Sequence, residues 1–339
     1  MSHYVYVPLT AERRFLVFMM NPHSGELHLV QDVNLSAEPW QLCIDPRQEY
    51  LYQQVRDKGF SGVISFSINK KTGHITQIGE IELPEDACYV ATDRSGKFLL
   101  AAYLIPGMVT VSQIDKNGVV QDSLVDQKLT DIYAHCIRTD KSNRYAFVSH
   151  VHPTNVIHQF LFDSDKGILT PNNIPKIPTD ITYGPRHFTF HPQLDLVYFN
   201  EEQSSTIGAY QLDSRNGTLV YLERLSTLPV GLLEQKNSTG QVHIHPSGNY
   251  VYVSNRGHDS IAMFAVNRIT GKLTSLGQEP SEEVPRAFGI DPSGKFLFAG
   301  SDHSGRLVLY RINQQGIITP IKLYDLGMWP SWVLPVAFD

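Results

Sequence analysis

The chain has 339 residues, 42% of them hydrophobic and 18% charged, with 28 lysines and arginines against 34 aspartates and glutamates and a formal net charge of -6. That balance is globular, with no basic run or pole to meet a nucleic acid and no stretch of about 18 apolar residues to span a membrane. The three cysteines, Cys43, Cys88 and Cys136, fit neither a disulfide framework nor a zinc site, and MSHYVYVPLT lacks a basic start followed by an apolar core; a reducing cytoplasm without a signal peptide is the expectation.

Taken in order, the chain starts with HYVYVPL, which reads as a strand without a preceding partner. A glycine turn (NPHSGEL, Gly25) follows, then a hairpin, IDPRQEYLYQQV, starting at Ile44. The same two units then alternate. Further hairpins start at Thr92, Thr139, Phe190, Ile244 and Ile290, spaced by roughly 50 residues. Glycine turns fall between them at Gly73, Gly118, Gly167, Gly217, Gly271 and Gly316, where the tight turn favours a positive φ. Seven turns stand against six hairpins. The missing hairpin is supplied if PSWVLPVAF, near the C-terminus, pairs with HYVYVPL, a match expected between 4–7 and 332–337. The expectation is an all-β fold: a seven-bladed β-propeller of four-stranded blades, its ring closed by the two terminal strands in one blade, as a single domain over 1–339. With strands lettered a to d outward from the axis, blades 2 to 7 start near Trp40, Cys88, His135, Arg186, Gly240 and Arg286. Segments 183–185 and 234–240 (EQKNSTG) read as loops between blades.

Strand a lines the axial channel. Three of the six aligned residues that start it, His135, Arg186 and Arg286, are basic where a buried strand would offer apolar side chains. The aligned ends of strand b are Val55, Tyr103, His150, Glu201, Asn255 and Ser301, with Arg256 and Asp302 one residue further. Antiparallel pairing puts both sets at one end of the ring. One mouth is therefore expected to collect His135, His150, Arg186, His187, Glu201, Glu202, Asn255, Arg256 and Arg286. His243 and His245 alternate on strand a of blade 6, so one of them faces the channel; His245 precedes a turn proline and suits a cap, which leaves His243. No G-x-S-x-G elbow, Walker loop, H-E-x-x-H or EF-hand spacing occurs. Guanidinium groups suit a carboxylate or phosphate, and a neighbouring histidine or glutamate can act as a general base on water. Three arginines disfavour a dication, so neither metal nor cofactor is expected.

The segments GPRHFTFHP, YFNE, HIHPSGNYVYVSNRGHDSI and VPRAFGIDPSGKFLFAG, with the glycine turns, resemble the seven-bladed propeller lactonases. These include bacterial 6-phosphogluconolactonases of the cycloisomerase type and fungal carboxymuconate lactonizing enzymes. The resemblance covers essentially the whole chain. It implies catalytic residues at His135, Arg186, Glu201 and Arg256; the strand positions add His187, Asn255, Arg286 and His243 as candidate substrate-binding groups. It also implies hydrolysis of a small anionic sugar lactone, 6-phosphogluconolactone first. A lactone-forming cycloisomerase and a non-catalytic interaction scaffold are the alternatives.

Overall fold

Long runs of β-branched and aromatic residues between turn clusters produce 28 strands among the described residues, with one 3₁₀ turn at Thr10–Glu12. The computed structural model describes residues 1–179, 182–232 and 236–339. The strands form seven four-stranded antiparallel sheets. Six of these sheets are consecutive in sequence. The seventh, blade 1, takes strand a from Leu334–Phe338 and strands b to d from Ser2–Leu9, Arg14–Met20 and Leu27–Asn34. Its closing register pairs Tyr4 with Val336 and His3 with Ala337, so the expected seven-bladed ring is closed as anticipated. Closure leaves neither terminal strand with an open edge.

The blades stack face to face, and this explains the burial pattern. Strand b of blade 3 (Phe98–Tyr103) and strand b of blade 5 (Leu196–Glu201) are buried at every residue. The outer strand d of blade 5 (Thr218–Ser226) keeps one buried residue, Leu219, and is half-buried or exposed elsewhere. The seven glycine turns have a second duty beyond their positive φ. Each packs on a strand-b side chain of the preceding blade. A Cβ at Gly73 would stand 2.2 Å from the Tyr4 ring, and one at Gly316 would stand 2.2 Å from the Tyr250 ring. The tyrosines complete the joint: Tyr4 Oη donates to Lys71 O at 2.7 Å and Tyr6 Oη to Gly73 O at 2.8 Å.

Two loop readings change. Pro185 already belongs to strand a of blade 5 (Pro185–Phe190), and Ser238 to Gly240 open strand a of blade 6 (Ser238–Ile244). Of the expected loop 234–240, Glu234 and Gln235 lie outside the described residues. Deleting residues 330–339 removes the buried side chains of Val333, Val336 and Phe338 and reopens blade 1. At about 1.5–3 kcal/mol for each, the midpoint of thermal unfolding by circular dichroism is expected to fall by roughly 10 °C or more. An unchanged melting curve would rule out the closing role of this strand.

Candidate active site

Strand a is bulged in each of blades 2 to 7, at its end away from the a–b turn. A bulge leaves a residue outside the ladder and re-aims its side chain. The bulged positions contain the aligned set Trp40, Cys88, His135, Arg186, Gly240 and Arg286. This is the local reason that charged residues occur on the innermost strand: there they leave the packed sheet and enter the channel. Trp40, Cys88, His135, Arg186 and Arg286 line a cavity of about 210 Å³ at this end. Gly240 contributes backbone: its carbonyl accepts hydrogen bonds from Arg186 Nη1 and from Asn200 Nδ2. A Cβ there would meet Ser254 Oγ at 2.5 Å.

The ends of strand b are shifted by one residue from the expected phase. Val55, Tyr103, His150, Glu201, Asn255 and Ser301 are all 0% exposed, turned into the layers between strands and blades. The next residue along faces the mouth, because side chains alternate along a strand. Glu201 is therefore not in the mouth. It lies under blade 5, where Arg224 grips both its oxygens through Nε and Nη2 and Thr206 Oγ1 donates to Oε2. Asn255 is a loop anchor, accepting from Thr227 Oγ1 at 2.7 Å and Asn237 Nδ2 at 3.1 Å and donating to Thr227 O at 3.0 Å. His150 packs its ring 4.5 Å from that of His158, away from the channel. Glu202 takes the place expected for Glu201: it pairs with Arg256 Nη2, and its Oε1 lies 3.4 Å from Arg186 Nε. Choosing Arg256, one past the aligned residue, already implied Glu202 on the neighbouring blade.

Breaking the Glu201–Arg224 pair should consequently be a stability event. Glu201→Gln leaves Arg224 short of a countercharge, which typically costs about 3–5 kcal/mol. Urea unfolding should reveal this loss, while the folded fraction should keep wild-type kcat. A large fall in kcat with unchanged stability would return Glu201 to the site.

The mouth holds four guanidinium groups, on Arg56, Arg186, Arg256 and Arg286, against the carboxylates of Glu202 and Asp302. Burial, with Arg256 and Arg286 adding to it and Glu202 opposing, pulls Arg186 down to about 9, so it stays charged at neutral pH. Burial tends to raise Glu202, but Arg186 and Arg256 outweigh it and hold the carboxyl below its usual range. His135 is 8% exposed, and its Nδ1 is buried without a hydrogen-bond partner. Burial, then Arg186, Arg286 and Arg256, hold its pKa well below the ordinary histidine value. Its ring centroid lies 5.0 Å from that of His187, which is likewise held neutral by burial and then by Arg186. Arg286 lies 3.6 Å from Asp302, with its guanidinium carbon 5.4 Å above the Trp40 ring.

The floor of the mouth joins His187, which the sequence reading placed there, to groups it did not single out. Tyr89, His187 and Trp332 meet edge-on or tilted, with ring centroids 5.3 to 6.3 Å apart. Gln41 and Gln241 line the same cavity. Gln41, Tyr89, His187 and Gln241 each stand one residue after an aligned bulge position, a regularity that could have exposed them. His243 lies beyond this floor and lines a separate cavity at the opposite end of the channel, with its ring 4.6 Å from that of Phe288. It is therefore not part of the mouth. Among the described residues, no group of three or more His, Cys, Asp or Glu side chains is placed to hold a metal ion.

Comparison with known proteins agrees with this architecture. A 6-phosphogluconolactonase of Yersinia pseudotuberculosis serotype O:3 is 32% identical over 336 residues, 98% of either chain. One of Pectobacterium atrosepticum is 28% identical over the full length of both. The fold superposes on Pseudomonas aeruginosa periplasmic gluconolactonase with a TM-score of 0.91 at 20% identity, covering 99% of each chain. The family model for the seven-bladed β-propeller lactonases matches residues 6–335, and the chain belongs to that family.

Proposed function

We propose that this protein hydrolyses 6-phosphogluconolactone to 6-phosphogluconate at the mouth formed by His135, Arg186, Glu202, Arg256 and Arg286. The observation that carries the reading is the concentration of guanidinium groups, with Arg56, Arg186 and Arg286 in the cavity wall and Arg256 joined to Arg186 through Glu202, around a neutral histidine with an unpartnered ring nitrogen. The relatives named as 6-phosphogluconolactonases over their full length supply the substrate.

In this mechanism the arginines hold the substrate phosphate and stabilise the oxyanion formed when water attacks the lactone carbonyl. His135 takes the proton from that water and returns it to the ring oxygen as the tetrahedral intermediate collapses and the acyl C–O bond breaks, which leaves the free acid and a hydroxyl. The free site keeps its pKa low partly through the three arginine charges. A bound anion offsets those charges and raises the imidazole toward the range where a general base works best. Glu202 is clamped between Arg186 and Arg256 and acts as a positioning residue for both. His187, in contact with His135, shapes the floor. Free thiols at Cys43, Cys88 and Cys136 suit a reducing compartment such as the cytoplasm. Among the described residues, no helix is long and apolar enough to cross a membrane.

The test is to give the purified protein 6-phosphogluconolactone and gluconolactone and follow acid release against the spontaneous rate. Faster opening of the phosphorylated lactone is the expected result. Equal rates would remove the phosphate from the proposal, and no acceleration of either lactone would end it.

A further inference from the structure

A second cavity, about twice the volume of the one at the mouth, lies at the other end of the channel, beyond the floor of Tyr89, His187 and Trp332. It encloses about 430 Å³, and all seven blades contribute to its wall. The mechanism above makes no use of it. Two guanidinium groups enter it from adjacent blades. Arg138, on strand a of blade 4 (Ala134–Thr139), donates through Nη1 to Phe188 O at 2.9 Å. Arg94, in the a–b turn of blade 3, donates through Nε to Asp140 O at 3.3 Å and stands 6.0 Å over the Phe190 ring. Neither forms an ion pair among the described residues. The two charges feel each other: the surrounding walls and then Arg138 pull Arg94 down to about 10.

The carboxylates in the same wall are committed elsewhere. Asp45 accepts from the backbone N–H groups of Arg47, Glu49 and Tyr50. Asp93 accepts from Ser95, Lys97 and Phe98 N–H groups and from Asn143 Nδ2. Their oxygens hold the a–b turns, while Asp93 still acts electrostatically on Arg94. Thr139, 2% exposed, also contributes to the wall. His243, kept neutral beside Arg138, adds no further positive charge. Each guanidinium makes a hydrogen bond to a backbone carbonyl and carries five N–H donors, which leaves others to donate into the cavity.

We propose that this cavity is a second binding site, taking a small organic anion through Arg138 and Arg94. The chemistry that would be recognised is a phosphate or carboxylate group, in a molecule small enough for the channel end. The ring floor keeps this site apart from the catalytic mouth, although Gln41 and Trp332 form part of both walls.

Isothermal titration calorimetry with inorganic phosphate and, separately, gluconate tests the proposal. The full chain carrying Arg256→Ala and Arg286→Ala, in which the mouth is disabled, should still bind one anion per chain. Whichever probe binds more tightly identifies the recognised group. Adding Arg138→Ala or Arg94→Ala should weaken that binding at least tenfold. In the otherwise wild-type chain, the same two substitutions should leave lactone turnover unchanged. Arg94 is at the solvent-facing rim, so Arg94→Ala keeps the test valid if Arg138→Ala does not fold. Binding of neither probe by the mouth-disabled protein would overturn the proposal, as would full affinity in both Arg94→Ala and Arg138→Ala. The binding readout stands whatever the fate of the lactonase reading.

Discussion

Replacing His135 by alanine is expected to lower kcat for the lactone by about 10² to 10⁴, with little change in KM. His135 is the only one of the proposed mouth groups that is neutral and also has a free buried nitrogen. The arginines are to behave differently. Arg256→Ala removes an anion donor and should chiefly raise KM; Arg256→Lys should not fully rescue it, because an ammonium cannot hold Glu202 and Thr239 O, as Nη2 does, while presenting a second planar N–H edge to the substrate anion. The pH profile provides a second readout with a definite sign. A general base is lost as pH falls through its pKa. Binding the anionic substrate offsets the arginine charges that depress His135, so the acid limb of kcat should lie at higher pH than the acid limb of kcat/KM. Coincident limbs, or near wild-type kcat in folded His135→Ala, would exclude His135 as the base.

Acidification should destabilise the fold strongly between pH 6.5 and about 3. His150 and His243 are each pulled from 6.5 down to about 3, His150 by burial and then the nearby His158, His243 by burial and then Arg138. Above pH 6.5 these residues are neutral in both the folded and the unfolded chain. Below it the unfolded chain takes up protons that the folded one refuses, so stability falls as pH drops toward the folded pKa. By pH 5 each of the two histidines contributes a loss of about 2 kcal/mol. Together they represent a large share of the roughly 5–15 kcal/mol that typically holds a domain folded. His135 and His187 shift in the same direction. Urea unfolding at pH 7 and pH 5 should show this loss, and His150→Gln should make the decline shallower by about 2 kcal/mol. Equal stability at the two pH values would mean that these imidazoles are not buried neutral.

The split blade shows why the architecture could be read from the chain alone. Seven glycine turns against six hairpins is a counting argument, and an unpaired edge at each terminus has one economical solution, the observed pairing of Tyr4 with Val336. Repetition did the same for the mouth: aligned copies exposed His135, Arg186 and Arg286 because a local irregularity, the strand-a bulge, recurs at the same place in six blades. Trp332 escaped because it belongs to the blade that the aligned set omitted.

The sequence by itself determined the seven blades, the closing pair and the end of the ring where the bases gather, since all three follow from period, turn chemistry and strand direction. The tertiary structure alone decided which of two adjacent acids serves the site. Strand side chains alternate every residue, so an alignment off by one exchanges the packed face for the open one. Glu201 went to Arg224 beneath the blade and Glu202 to Arg186 and Arg256 in the mouth. The same holds for His243, whose place on strand a is legible but whose side of the floor depends on Tyr89, His187 and Trp332, three rings from three blades that meet only when the ring closes.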